Sequence, residues 1–215
     1  MSKIDAVITQ IEKVRLSSDA KRIIKIIAVS KYSTSSQILE LYNEGQRAFG
    51  ENKVQDLAQK AQELVGFPIE WHFIGRIQSN KINALLKQSP ALIQSIDSFE
   101  TAQEINKRAT VKVNVLLQIN SANEESKSGV NCDKAVEIYS KISSELKNIN
   151  LQGVMSIGAH TTDEAIIQKS FENTRNIFDL LSTYNPKYCS MGMSSDFELA
   201  IKCGSNMVRL GSILF

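Results

Sequence analysis

The chain has 215 residues, of which 42% are hydrophobic and 22% charged, so it is long enough for one large α/β domain or two small ones. The formal net charge is +2, and the lysines and arginines are scattered, which argues against nucleic-acid binding. Three cysteines without a CxxC spacing cannot all pair, and no apolar stretch reaches the roughly eighteen residues of a membrane span. These features predict a soluble, cytoplasmic protein without a signal peptide.

The first predicted elements are an amphipathic helix, a strand and a second helix. The helix places one apolar face on Ile4, Val7, Ile8, Ile11 and Val14. Residues 23–29 form an apolar run of strand type that leads into Lys31. Thr34 and Gln37 have the spacing of a capping box, and Gly45 is placed to end the second helix.

Strand and helix patterns then alternate along the whole chain. The further predicted strands are residues 47–49, 69–73, 92–96, 111–117, 151–155, 188–190 and 207–209. Helix starts are predicted at Asp97 with Glu100, at Thr161 with Glu164, and at Ser195 with Glu198, the last helix ending at Gly204.

Eight strands alternating with helices predict an α/β fold, a single TIM-type (β/α)8 barrel domain over residues 1–215. The alternative is a doubly wound sheet, but a dinucleotide-binding sheet normally has a glycine fingerprint after its first strand, where this chain has Ser30-Lys31-Tyr32-Ser33. Few residues follow the eighth strand, so we expect a truncated last helix, with the extra N-terminal helix covering part of the gap.

In such a barrel, the residues that follow the strands converge on one face, which carries the chemistry. Lys31 ends the first strand segment there, and we expect its amine to be partly buried at the pocket mouth, which makes it a candidate Schiff-base former. Residues 191–195 and 209–212 combine glycines with serines, as in a phosphate cradle. An amine and a phosphate site together indicate pyridoxal 5′-phosphate (PLP). A solvated lysine and ordinary capped turns remain alternatives.

Six segments together resemble the signature set of the pyridoxal phosphate homeostasis protein family, whose fold is that of the alanine racemase N-terminal domain. The segments are AVSK (28–31), FGEN (49–52), WHFIG (71–75), QSNK (78–81), MGMSSD (191–196) and VRLGS (208–212).

The resemblance implies a role for each of six residues. Lys31 would hold PLP as an aldimine, Arg209 would face the pyridine nitrogen, and Asn52 would lie near the ring. The implied phosphate ligands are Ser194, Gly211 and Ser212.

Arg209 bears on whether the protein is an enzyme. An arginine can only donate hydrogen bonds, so it leaves the pyridine nitrogen unprotonated and PLP a weak electron sink. Alanine racemases add a tyrosine from a second domain of a partner subunit, and we expect no second domain here. The resemblance therefore implies a noncatalytic carrier in PLP (vitamin B6) and amino-acid homeostasis, with apo PLP-dependent enzymes as possible acceptors. The alternatives are a PLP-dependent amino-acid racemase and an aldolase that uses a lysine Schiff base without PLP.

Three further expectations concern the loops, metals and assembly. Arg76 stands where the family commonly has histidine, and Lys127 lies in a long loop near the predicted cleft. His72 is taken as a barrel residue and His160 as a loop residue, with no ligand cluster that would indicate a metal site. No apolar stripe indicates a dimer, and we expect a monomer.

Overall fold

Parallel strands form a closed barrel in the computed structural model, which describes residues 2–18, 22–122, 124 and 128–215. The eight barrel strands in this part of the chain are β1 (Lys25–Val29), β2 (Ala48–Glu51), β3 (Glu70–Phe73), β4 (Leu92–Ile96), β5 (Val113–Asn120), β7 (Ile149–Met155), β8 (Tyr188–Ser190) and β9 (Met207–Leu210). The barrel strands pair with their neighbours in chain order. The first strand, β1, pairs with the last, β9, and the pairing of β4 with β5 completes the ring. The TIM-type barrel is confirmed.

Several predicted strand limits were wrong. Strand β5 begins at Val113, because Val111 is exposed, and it continues to Asn120. Strand β2 extends through Glu51, which the sequence pattern had placed in the following loop. A short strand that was not predicted, β6 (Val130–Asn131), pairs with the end of β5 outside the ring.

Helices surround the barrel. They are α1 (Lys3–Ser17), α2 (Ser35–Asn43), α3 (Val54–Glu63), α4 (Ile82–Lys87), α5 (Phe99–Arg108), α6 (Ala135–Glu145), α7 (Glu164–Leu180) and α8 (Phe197–Lys202), with short 3-10 turns at Ser79–Lys81 and Ser182–Tyr184. No helix in the described ranges is long and apolar enough to span a bilayer.

The N-terminal helix covers part of the gap that follows β9, where residues 211–215 form only a short turn, as predicted. Four of its apolar residues join the same buried cluster as Phe197 and Ile201 of α8 and Leu214. Ile8 is the exception, since it is 45% exposed while Ile11 is 3% exposed. The prediction for Ile8 was wrong because the apolar stripe of α1 is wider than the surface that α8 offers.

The helix ends follow the predicted chemistry in part. Thr34 and Gln37 form the capping box, and Gly45 ends α2 with a φ of +107°. Three predicted N-caps were displaced by one or two residues, and the caps are Ser98, Asp163 and Asp196. In the first two cases a neighbouring side chain reaches the free amides, for example Ser98 Oγ, which accepts from the Thr101 amide at 3.0 Å.

The barrel interior is apolar with a polar seam. The apolar residues are Ile27, Ala48, Leu92, Leu116, Met155 and Met207. His72, Gln94, Ser190 and Arg209 are also buried and lie on β3, β4, β8 and β9. Buried polar groups are tolerated only when they are hydrogen-bonded, so these four side chains need one another.

Candidate functional site

A cleft of about 740 Å³ opens at the carboxyl ends of β1, β2 and β9. Its size is within the usual range for small-molecule sites. All six residues that the resemblance singled out line it: Lys31, Asn52, Ser194, Arg209, Gly211 and Ser212. They come from four separate loops and strand ends, which the barrel topology brings to one face.

Lys31 is more exposed than its place in the sequence suggested. Strand β1 ends at Val29, Ser30 is buried, and Lys31 lies in the following turn with its ammonium 4.8 Å from the ring centroid of Tyr32. The expectation of a partly buried amine at the strand tip was therefore wrong. Ser30 takes the buried position, because its hydroxyl and amide bond to β2. The amine of Lys31 is open to a molecule in the cleft.

The loops after β8 and β9 are tied to each other. The Gly211 amide donates to Ser194 Oγ at 3.1 Å, and the Arg209 amide donates to the Gly192 carbonyl at 3.0 Å. Gly192 has a φ of +97°, and a Cβ there would lie 2.6 Å from that of Ala200. Only glycine fits this turn. The result is a close set of backbone and hydroxyl donors of the kind that binds a phosphate.

Arg209 points into the barrel beneath this cradle. Nη1 donates to Ser190 Oγ at 2.7 Å and to its carbonyl at 3.0 Å, and Nη2 donates to the Ser156 carbonyl at 2.7 Å. Burial lowers the pKa of the guanidinium to about 10, and Asp196 opposes that shift, so the group stays charged at neutral pH. Arg209 can therefore offer a cleft ligand a donor but no proton acceptor.

A buried ion pair lies under Lys31 and Asn52. Glu51 Oε1 accepts from Ser30 Oγ at 2.6 Å and from Lys60 Nζ at 2.7 Å, and Lys60 also donates to the Ser30 carbonyl at 2.7 Å. These bonds join the end of β1, the end of β2 and α3. Sequence analysis missed the pair; the signal was a carboxylate in an otherwise apolar strand followed by a lysine two helical turns into α3.

Asn52 is held by a close backbone approach. A Cβ at Gly75 would lie 1.9 Å from the Asn52 carbonyl oxygen, so only glycine allows β3 to end there. Arg76 lies next to this point but lines a separate pocket of about 280 Å³, together with Asp97. Lys127 lies outside the described residues.

The cysteines are not part of the cleft. Cys189 is fully buried, and burial raises its pKa to about 12, while burial also raises the pKa values of Cys132 and Cys203. Raised pKa values keep the thiols protonated and unreactive. Their role as small apolar fillers fits this environment. Within the described ranges, no group of three or more His, Cys, Asp or Glu side chains is arranged to hold a metal ion.

The sequence profile of the alanine racemase N-terminal domain matches residues 3–215. A pyridoxal phosphate homeostasis protein of Helicobacter pylori is 55% identical over 216 residues, covering 99% of this chain and 96% of the relative. The chain belongs to the pyridoxal phosphate homeostasis protein family. The resemblance seen in the six signature segments is confirmed.

Solved structures of similar proteins agree with this membership. A protein of Bifidobacterium adolescentis superimposes with a TM-score of 0.92 at 33% identity, covering 99% of this chain and 93% of that one. PipY of Synechococcus elongatus, solved with PLP bound, has a TM-score of 0.79 at 30% identity, with coverage of 95% and 99%. The fold of the family is thus shared over nearly the full length of each chain.

Proposed function

We propose that this protein binds PLP in the cleft at the barrel mouth and acts in PLP and amino-acid homeostasis. The observation that carries the proposal is the meeting of three groups in one cleft: an accessible amine, a phosphate cradle and a buried guanidinium. PLP has an aldehyde, a phosphate and a ring nitrogen, one for each. Membership of a family whose relative PipY was solved with PLP supports the same assignment.

Each predicted residue has a role in this proposal. Lys31 would hold the aldehyde end of PLP through its Nζ, and the bound cofactor would supply a reactive carbonyl group. Ser194, Gly211 and Ser212 would hold the phosphate, in the cradle where the Gly211 amide donates to Ser194 Oγ. Asn52 lines the cleft on the β2 side and would lie near the ring.

Arg209 makes storage of the cofactor a better role than catalysis. Its guanidinium is charged, and two of its nitrogens are already committed inside the barrel. Arg209 also lines the cleft, where it would donate a hydrogen bond to the pyridine nitrogen without transferring a proton, so carbanion chemistry would have weak support. The protein then holds PLP and releases it to apo enzymes, acting as a monomeric single-domain carrier.

The test begins with titration of the apo protein with PLP, followed by borohydride reduction and peptide mass spectrometry. We expect a visible absorption band at a longer wavelength than that of free PLP. After reduction, a pyridoxyl group should be found on the peptide that contains Lys31. Lys31→Ala should lose both, whereas Lys147→Ala, which removes an exposed lysine far from the cleft, should keep both. Label on another lysine, or a band that survives in Lys31→Ala, would refute the assignment.

Two further measurements separate the alternative functions. Incubation of the PLP-loaded protein with L-alanine and chiral analysis should show no turnover at enzyme-like rates, and rapid appearance of D-alanine would establish a racemase. If the protein is an aldolase that works without PLP, it should be colourless and gain no visible band on titration with PLP. Borohydride should then link Lys31 to a carbonyl substrate instead.

A further inference from the structure

A line of buried polar side chains crosses the barrel interior from Arg209 to the opposite rim. Arg209 Nη1 lies 2.7 Å from Ser190 Oγ, and Ser190 Oγ lies 2.7 Å from Gln94 Oε1. Gln94 Nε2 lies 3.0 Å from His72 Nδ1, and His72 Nε2 lies 2.9 Å from Glu70 Oε1. Since β4 and β8 are not neighbours in the ring, the bond between Gln94 and Ser190 spans the interior.

The donor and acceptor at each step follow from Arg209, which can only donate. Ser190 Oγ accepts from Arg209, so its O–H is free to donate to the Gln94 carbonyl oxygen. The Gln94 amide nitrogen can only donate, so His72 Nδ1 accepts. The imidazole proton is then on Nε2 and is donated to the Glu70 carboxylate. In every hydrogen bond of this line, the donor is on the Arg209 side and the acceptor on the Glu70 side, so the line runs from a cation to an anion.

The charges at the two ends agree with this direction. Burial lowers the pKa of His72, which keeps its ring neutral at neutral pH, as the assigned tautomer requires. The hydrogen bond from His72 is the main reason that the pKa of Glu70 falls to about 2. Lys25 pairs with the same carboxylate oxygen, with its Nζ 2.5 Å from Glu70 Oε1. Aligned hydrogen bonds polarise one another, so such a chain stabilises a buried guanidinium more than separate bonds would.

We propose that Ser190, Gln94 and His72 are positioning residues that fix Arg209 toward the cofactor and pass the change in its hydrogen bonding to Glu70 at the far rim. This inference rests on the proposed binding of PLP in the cleft. It assigns to the barrel interior a part in setting the electronic state of the ring nitrogen, although none of the three residues lines the cleft.

Gln94 is the residue whose loss tests the chain. Gln94→Leu keeps the side-chain size and breaks both links, so the Ser190 hydroxyl loses its acceptor and His72 Nδ1 loses its donor. Gln46→Leu is a matched control, because Gln46 is also buried and donates two hydrogen bonds through Nε2. Its acceptors are the carbonyls of Ile26 and Ala48, which take no part in the line of hydrogen bonds from Arg209 to Glu70.

We expect the dissociation constant for PLP to rise about tenfold in Gln94→Leu, since each buried group left unsatisfied near Arg209 weakens its orientation. The visible band of bound PLP should also shift in position. Gln46→Leu should change neither the dissociation constant nor the band position, even if its urea midpoint falls by as much as that of Gln94→Leu. Equal affinity and an equal spectrum in the two variants would overturn the proposal.

The chain contains two histidines, so ¹⁵N resonances of the rings report on His72 directly. Addition of PLP to the wild-type protein should move the His72 ring resonances, while those of the exposed His160 stay in place. In Ser190→Ala at saturating PLP, the His72 response should disappear. This resonance test needs only the wild-type protein and Ser190→Ala, so it can be made even if Gln94→Leu fails to fold.

The outcomes separate this inference from the proposed function. A wild-type protein that binds PLP with no change at His72 would overturn the internal chain and leave the proposed function intact. A wild-type protein that does not bind PLP would overturn both.

Discussion

Loss of the Lys60 ammonium gives the sharpest prediction for stability. The Lys60 side chain is 11% exposed and that of Glu51 is fully buried, so their ion pair is screened little by solvent. Lys60→Met keeps the length of the side chain but removes two charge-assisted hydrogen bonds, each of 2.7 Å, to Glu51 and to the Ser30 carbonyl.

The expected cost follows from the Glu51 carboxylate that remains. Its Oε2 has no hydrogen-bond partner within the described part of the chain, and Oε1 would keep only the Ser30 hydroxyl. Breaking a buried pair on one side costs about 3–5 kcal/mol, because the partner's charge stays buried without compensation. We therefore expect Lys60→Met to lower the free energy of unfolding by about 3 kcal/mol or more. Affinity for PLP should fall as well, since the pair holds the strand ends that carry Lys31 and Asn52.

Urea unfolding at neutral pH measures this cost, with a double-mutant cycle on Lys60→Met and Glu51→Gln to isolate the pair. Coupling in that cycle should exceed about 1 kcal/mol, as for residues in direct contact. The matched control is Lys107→Met, which removes an exposed lysine paired with Glu104 on α5, and which should cost less than about 1 kcal/mol. If the two lysine variants were equally stable, the account of a desolvated pair would be wrong.

Three other outcomes are expected from the fold. Gly192→Ala should destabilise the protein by about 1–3 kcal/mol and weaken PLP binding, because of its positive φ and the 2.6 Å contact with Ala200, while Gly66→Ala, with open space around its Cβ, should leave the urea midpoint nearly unchanged. Ile11→Ala should cost about 2–4 kcal/mol and Ile8→Ala less than about 1 kcal/mol, and equal losses would contradict the packing of α1 on α8. The folded pKa of Glu70 is depressed to about 2 from 4.5, so its contribution to stability is present above the unfolded value and lost as pH falls from 4.5 toward 2. In Glu70→Gln, the urea midpoint should therefore fall less steeply than in the wild-type protein as pH drops from 4.5 toward 2. The difference should be smaller than the pKa shift alone implies, since the side chain of Glu70 is 37% exposed.

The barrel and the cleft could be predicted because both depend on features that recur locally. Each strand is a short apolar run that ends in polar or glycine residues, and a parallel barrel brings such ends to one face whatever their distance in sequence. Lys31 and Ser194 are far apart in the chain, yet the strand count alone placed them together. The family resemblance then supplied roles that no spacing could give.

The polar contacts within the barrel could not be predicted, because they depend on which strands face each other. Gln94 in the run Leu-Ile-Gln-Ser-Ile has no local sign of its partner, and Ser190 lies 96 residues further on. The available signal was two polar residues, Gln94 and Ser95, in a strand whose other residues are apolar. The exposure of Lys31 was missed for a similar reason, since the buried place at the strand end belongs to Ser30 through contacts with Glu51 and Lys60.

Three independent devices hold the three parts of the cleft. The ion pair of Glu51 and Lys60 supports the amine side, the bond from the Gly211 amide to Ser194 Oγ supports the cradle, and the chain through Gln94 supports Arg209. The first and third are buried, whereas the amine itself is exposed. This division fits the proposed carrier role, in which buried, hydrogen-bonded groups would orient PLP while the amine of Lys31 would stay accessible to water and to acceptors.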